Sequence, residues 1–459
     1  MQIDLTKGPI TKNLIMFTLP LILGNIFQQL YNIADTWVVG KFIGSQALGA
    51  VGASYTLMVF LTSIFIGLCM GSGGVFALYK GGNQPQKLTE SIQISFVFIF
   101  LITIVINIVS FASLNYIVEI FNVPVELKEM TVDYLKIIFC GMTGVFLYNY
   151  FANLLRSVGN SVVPLIVLAF SAILNIGMDL YFVIKLGLGV KGAALATVFA
   201  QYISAILIAG FVYVKEPSLR LNLRKIKYSK EVFAKIKSMS LLTCVQQSVM
   251  NFGILLVQGL VNSFGTVVMA AFAAAVKIDT IAYSPLQDFG NGFSTFIGQN
   301  YGANESKRIK AGIKSSFKMV AIFSLTISAI VCIFAKELMS IFVDKSEQEI
   351  IATGVSYLRI EGAFYIGIGI LFMLYGFYRA ILVPQMSLVL TIISLGTRVV
   401  LAYVLSSFQS IGVMGIWVSV PIGWILADIT GCGYYIYMKK RKKHEENWID
   451  NSRGNWIFF

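Results

Sequence analysis

The stretch YNIADTWVVG, residues 31–40, holds the side chain on which the reading of the chain turns. Asp35 comes near the end of an otherwise apolar run that begins at about Leu14. Placing a charged side chain in hydrocarbon costs roughly 2.5–3.5 kcal/mol on insertion scales. Such a residue is kept mostly where it meets a cavity, a partner or an ion. Snorkelling to the interface, or service as an ordinary salt-bridge partner, are the plainer alternatives.

Outward from Asp35, apolar runs dominate. The 459 residues are 57% hydrophobic and 12% charged, with a mean hydropathy of +0.79. A helix needs about 20 apolar residues to cross a bilayer. The continuous runs predict twelve such helices, at about 14–39, 49–79, 92–115, 132–155, 162–184, 190–213, 238–261, 266–300, 315–335, 353–378, 387–407 and 413–437. Transmembrane β-strands would alternate apolar and polar residues instead. The expected fold class is therefore an all-α polytopic membrane protein. From Leu14 onward the first run is too long for a removable signal and has no cleavage site. Five cysteines, far apart in apolar runs, form neither a metal spacing nor a disulfide framework.

The net charge of +13 is not a nucleic-acid signature, because the basic residues gather in alternate loops. With the N-terminus inside, 25 of the 35 Lys and Arg fall on the cytoplasmic side and seven outside. Three more, Lys277, Arg359 and Arg398, lie within spans. This asymmetry predicts a multi-pass protein of the plasma (inner) membrane with both termini cytoplasmic.

The chain reads as two similar halves. GVKGAA at 189–194 matches GVMGIW at 412–417, an offset of 223 residues, and at that offset Tyr134 meets Tyr357 and Arg156 meets Arg379. The expected organisation is an N-terminal six-helix lobe (1–214), a cytoplasmic linker (215–237), a C-terminal six-helix lobe (238–438) and a basic cytoplasmic tail (439–459). Six helices per lobe make the repeats parallel, the layout of two bundles around a central cavity.

The fifth run contains ILNIGMDLYFV, 173–183, in which Asn175 and Asp179 are four residues apart and so share a helix face. Asp35 and Asp179 each come late in an outward-running span, and Thr197 comes about two turns into the span that returns. Two carboxylates, an amide and a hydroxyl can meet there. Two nearby carboxylates in low dielectric cannot both ionise cheaply, so the pair can take up a proton or share a Na⁺. A static polar knot joining helices is the plainer alternative. The matching C-terminal positions, roughly Gly253, Arg398 and Ala402, do not repeat the cluster.

Gln28, Tyr31, Asn153, Gln246, Gln247 and Glu361 are the candidate lining of a substrate cavity, and Pro20 is a candidate helix bend. For the C-terminal charges Lys277, Asp279, Glu361, Arg398 and Asp428, internal salt bridges are the expected state. GSGG at 71–74 lacks the Lys-Ser/Thr ending of a phosphate loop and reads as close helix packing. His444, the only histidine, lies in the tail, so no catalytic set is expected in the spans.

LPLILGNIFQQLYNIADTWVVGKFIG (19–44), the midpoint break and KIDTIAYSPLQDFGNGFSTFIGQNYGA (277–303) together resemble the MATE family, the multidrug and toxic compound extrusion transporters. The resemblance covers roughly residues 8–437. Asp35, Asn175, Asp179 and Thr197 are similar to the N-lobe cation site of its DinF-like branch, and Pro20 to that branch's first-helix proline. The resemblance implies export of small cationic or amphipathic compounds in exchange for H⁺ or Na⁺, by alternating access. Asp35 would be the principal coupling carboxylate, with Asp179, Asn175 and Thr197 as partners. No cofactor, no nucleic acid and no metal beyond a possible Na⁺ is implied, and a monomer would suffice in the bilayer. NorM-type members use an acidic residue in the seventh helix, and none occurs here between Ser238 and Val261. A flippase for lipid-linked saccharides, from the same superfamily, is the alternative.

Overall fold

A run of apolar residues in lipid leaves backbone groups no partner but each other, so each run folds as a helix. The computed structural model is all-α and describes residues 2–120, 123–222 and 228–449, with backbone alone at 45, 56, 120, 252–255 and 442–449. Gly253, the expected counterpart of Asp35, is one of these backbone-only positions.

The first half holds α1 (Ile10–Phe42), α2 (Ser45–Gly81), α3 (Pro85–Ala112), α4 (Leu114–Ile120), α5 (Val125–Cys140), α6 (Met142–Ser157), α7 (Val162–Leu180) and α8 (Gly189–Lys215). The second follows the same order of long, short and paired helices. It comprises α9 (Lys230–Asn262), α10 (Thr266–Gly302), α11 (Ser306–Ile333), α12 (Ala335–Phe342), α13 (Gln348–Gly362), α14 (Tyr365–Ala380), α15 (Pro384–Ser406) and α16 (Met414–Ile449). In the expected linker, a 3-10 turn at Pro217–Leu219 follows α8, and Ser229 caps α9 by accepting from the Val232 N–H at 3.4 Å. Residues 223–227 of that linker and 450–459 of the expected tail lie outside the described residues.

Among the described residues, ten helices are long and apolar enough to cross a membrane. The pairs α5–α6 and α13–α14 pass only together, which allows up to twelve spans. The spans expected at 132–155 and 353–378 are each a bent pair of helices. The first pair bends by 42° around Gly141 and the second by 51° beyond Gly362. Neither break has the proline that usually marks a kink. At Gly141 a side chain would collide with Gln201 and Val198 of α8, so the glycine lets that helix pass close.

Helices in lipid gain little from the hydrophobic effect, so close packing and hydrogen bonds decide which faces meet. Across the lobes α2 uses glycine. A Cβ at Gly67 or Gly71 would strike the α9 backbone near Cys244 and Met239, and one at Gly81 would strike α10 at Gln299. Hydrogen bonds tie the same end. Gln299 Nε2 donates to the Ser157 carbonyl at 2.7 Å. The N-terminal segment then crosses between lobes: the Ile3 N–H donates to Gly159 O at 2.9 Å. On the other side Asn300 Nδ2 and Arg308 Nε both donate to Leu5 O at 3.1 Å. Arg308 also reaches the carbonyls of Gly8 and Lys7, each at 2.7 Å. Leu5, Leu14, Phe17 and Leu21 are buried in the core of the second lobe. This end of the bundle is sealed.

Candidate cation site and substrate cavity

α1 separates two environments along its middle. Asn25, Gln28, Gln29, Asn32, Asp35 and Thr36 recur every three or four residues, share one face and line a cavity. Ile26, Leu30, Ile33 and Trp37 fall outside that face and are exposed, the apolar outer surface of the same helix. The cavity has a volume of about 580 Å³, room for a drug-sized molecule. It runs from Asp35, Thr36 and Tyr55 to Gly74, Arg156 and Arg379 beside the sealed end.

The polar cluster forms where α1, α7 and α8 meet. Ser171 Oγ of α7 donates to the Ala200 carbonyl of α8 at 2.9 Å and fixes their register. That contact places Asn175 and Asp179, 1% and 0% exposed, and Thr197 on the side facing α1. The carboxyls of Asp35 and Asp179 lie against each other. Tyr31 Oη is 3.4 Å from Thr197 Oγ1, and Tyr134 lines the same cavity, within reach of the charge of both carboxyls. Directly after Asp179, Tyr181–Lys185 forms a π-helical turn, a distortion frequent at functional sites.

The cluster lacks counter-charge. Among the described residues neither aspartate makes an ion pair within 4 Å. Among the described residues Asp35 Oδ1, both Asp179 oxygens and both polar atoms of the Asn175 amide find no hydrogen-bond partner. A buried polar atom left so costs about 1–3 kcal/mol. A proton between the carboxyls, or a small cation held by oxygen atoms, satisfies several of these at once. Among the described residues no group of three or more His, Cys, Asp or Glu forms a metal centre.

Of the residues predicted from the sequence, Asp35, Asn175 and Thr197 line the cavity, as do Gln28, Tyr31, Asn153 and Gln247. Asp179 lies behind Asp35, off the wall. Gln246 and Glu361 are corrections. Gln246 is 2% exposed and off the wall, because neighbours on a helix point about 100° apart and Gln247 takes the cavity side. Glu361 is 1% exposed inside the second lobe, against Asp279. There Tyr365 Oη donates to Asp279 Oδ1 at 2.8 Å, Tyr357 adjoins the pair, and Arg398 acts on both carboxyls by its charge. The direct salt bridges expected in this lobe do not form within 4 Å among the described residues. Pro20 lies inside α1, fifteen residues or about 22 Å of helix before Asp35, and so does not touch the cluster.

Among the wall residues that the sequence reading does not single out are Arg156, Arg379, Asp288 and Asn291. The two arginines were visible only as matching positions of the repeat, and the orientation count put them in cytoplasmic loops.

Similar proteins agree with this architecture. The chain is 28% identical over 436 residues to the probable multidrug resistance protein YpnP of Bacillus subtilis, covering 95% of this chain and 96% of that one. It is 23% identical over 446 residues to an FAD transporter of Shewanella oneidensis, covering 94% and 95%. A MOP superfamily transporter from Pyrococcus furiosus shares the fold at a TM-score of 0.88 and 23% identity, over 95% and 97% of the two chains. A MATE in a bent conformation does so at a TM-score of 0.90 and 22% identity, over 96% and 98%. The MatE family model matches twice, over residues 20–181 and 243–404, repeating at the same offset of 223 (243 − 20) as the internal motifs. The chain belongs to the MatE family, secondary transporters of small molecules.

Proposed function

We propose that this protein is a cation-coupled antiporter that exports cationic amphipathic compounds in exchange for H⁺ or Na⁺ by alternating access. One observation carries the reading: Asp179 lies against the cavity-lining Asp35, and among the described residues the two have no ion pair within 4 Å and orphaned oxygens. A proton or Na⁺ bound there competes with a cationic substrate for the same charge, so each expels the other. That competition is the simplest form of exchange. Asn175 and Thr197 would add oxygen ligands for Na⁺, and Gln28, Tyr31, Asn153 and Gln247 would line the substrate path. Relatives named as multidrug resistance proteins support the substrate class. The basic-residue asymmetry supports cytoplasmic termini, in which case the sealed end faces the cytoplasm and the cavity opens outward.

The alternative, flipping of a lipid-linked saccharide, draws on Arg156 and Arg379 at the same cavity, which suit a pyrophosphate. Ethidium efflux from reconstituted vesicles separates the two readings. The expected result is efflux under an imposed pH gradient or an imposed Na⁺ gradient, lost in Asp35→Asn. Equal efflux from both proteins contradicts coupling at Asp35. No dye movement under either gradient favours the lipid-linked substrate.

A further inference from the structure

The cavity has a second charged pole, opposite the aspartate pair. Among the described residues four charged side chains line it: Asp35 towards one end, and Asp288, Arg156 and Arg379 at the sealed end. The arginines occupy matching places, each in the last turn of the second helix of a bent pair, α6 and α14. Asp288 faces Arg156, and Arg379 Nη2 donates to Asn291 Oδ1 at 3.0 Å. Asp288 and Asn291 are three residues apart on α10, so the side chains they meet converge within about one helical turn.

The charges there do not balance. Arg379 is only 5% exposed, and the partners found for it are the neutral oxygens of Asn291 and Ser294, the latter accepting from Nε at 3.3 Å. Among the described residues no protein atom accepts from the buried Arg156 Nε. Asp288 is the one carboxylate for two guanidiniums, and neither arginine makes an ion pair within 4 Å among the described residues. Guanidinium is never deprotonated, so the excess positive charge stays. A structural account would rest on the helix macrodipole, which favours a cation at a helix C-terminus. That effect is small beside the desolvation of a buried charge.

We infer that the sealed end of the cavity, between Arg156 and Arg379, is a subsite for the anionic group of a zwitterionic amphipathic substrate. The planar guanidiniums match a carboxylate or phosphate group two bonds at a time. Asn25 faces Asp288 and Asp35 lies ten residues further along α1. The two poles are therefore about 15 Å apart, the span of a drug-sized molecule with acid at one end and amine at the other. Gly73 and Gly74 line the floor beside the arginine: a Cβ built on Gly74 would lie in ordinary contact with Arg379 Cγ, at 3.8 Å. The inference rests on the cavity being the substrate site.

The test uses two dyes that differ in one group: tetramethylrhodamine, with a free carboxylate, and its methyl ester. Binding of each to the purified full-length protein is measured by fluorescence anisotropy. The wild type is expected to hold the free acid more tightly than the ester, relative to their partition into protein-free micelles. In Arg379→Gln and in Arg156→Gln that preference should shrink by about tenfold, and Arg379→Lys should keep part of it. Reading the ratio in one sample removes any common effect of weaker folding. An unchanged ratio in both glutamine variants overturns the subsite. Failure of the wild type to bind either dye overturns the cavity reading and the subsite with it. Displacement of the free acid by phosphatidylethanolamine would identify a lipid headgroup as the source of the same zwitterionic chemistry; insensitivity would identify a soluble compound.

Discussion

Each lobe buries a pair of carboxylates, and the two pairs are finished in opposite ways. Asp35 and Asp179 come from α1 and α7; Asp279 and Glu361 come from α10 and α13. A tyrosine of the internal repeat lies within reach of the charge of each, Tyr134 in the first and Tyr357 in the second, 223 residues apart. The first pair reaches the cavity through Asp35 and, among the described residues, makes no ion pair and leaves three of its oxygens without donors. The second is shut inside its lobe, takes a hydrogen bond from Tyr365 and feels the charge of Arg398. Arg398 stands at the position that matches Asn175 (398 − 175 = 223). The carboxylates themselves are not at matching positions, but where the first lobe has the Asn175 amide the second has a guanidinium whose charge acts on its pair.

This contrast can be broken by substitution. The largest effect is expected for Asp35→Asn, which should reduce gradient-driven dye efflux to the level of empty vesicles. Next comes Asn175→Arg, which imports the second lobe's arrangement into the first. It should silence coupling while the protein still elutes as a folded species on size-exclusion chromatography. Asp179→Asn removes one charged ligand, a loss of about 1.5–3 kcal/mol, and should weaken cation affinity by roughly 10- to 100-fold in an efflux titration. In the second lobe, Arg398→Asn should leave the coupling ion unchanged. It should lower the melting temperature in detergent, because two buried carboxylates lose the positive charge that acts on them. The smallest effect belongs to Thr197→Ala. One neutral ligand is worth about 1 kcal/mol, or roughly fivefold in cation affinity.

The sequence carried the two-lobe helical fold because uninterrupted apolar runs have one solution in lipid. It also brought Asn175 and Asp179 to one face, since a spacing of four is local geometry. What it hid was non-local. Gly141 and Gly362 mark the bends, yet a glycine in an apolar run signals close packing as readily as a break. Glu361 was placed at a plausible depth, but depth does not say which way a helix is turned, and the side chain faces Asp279. Gln246 failed for the same reason, one residue from the cavity-facing Gln247. The Asp279–Glu361 pair joins residues 82 positions apart (361 − 279), on helices that no local pattern brings together. Arg156 and Arg379 sit at span ends, where a charge reads as a loop residue held at the interface.

The most direct measurement is the cation released when a cationic substrate binds. Purified protein in weakly buffered detergent solution is mixed with ethidium while a pH indicator and a Na⁺-selective electrode record the solution. The expected result is stoichiometric release of H⁺ or Na⁺ from the wild type and from Glu361→Gln, and none from Asp35→Asn. Release that persists in Asp35→Asn and disappears in Glu361→Gln would contradict the assignment and move the exchanging site to the second lobe.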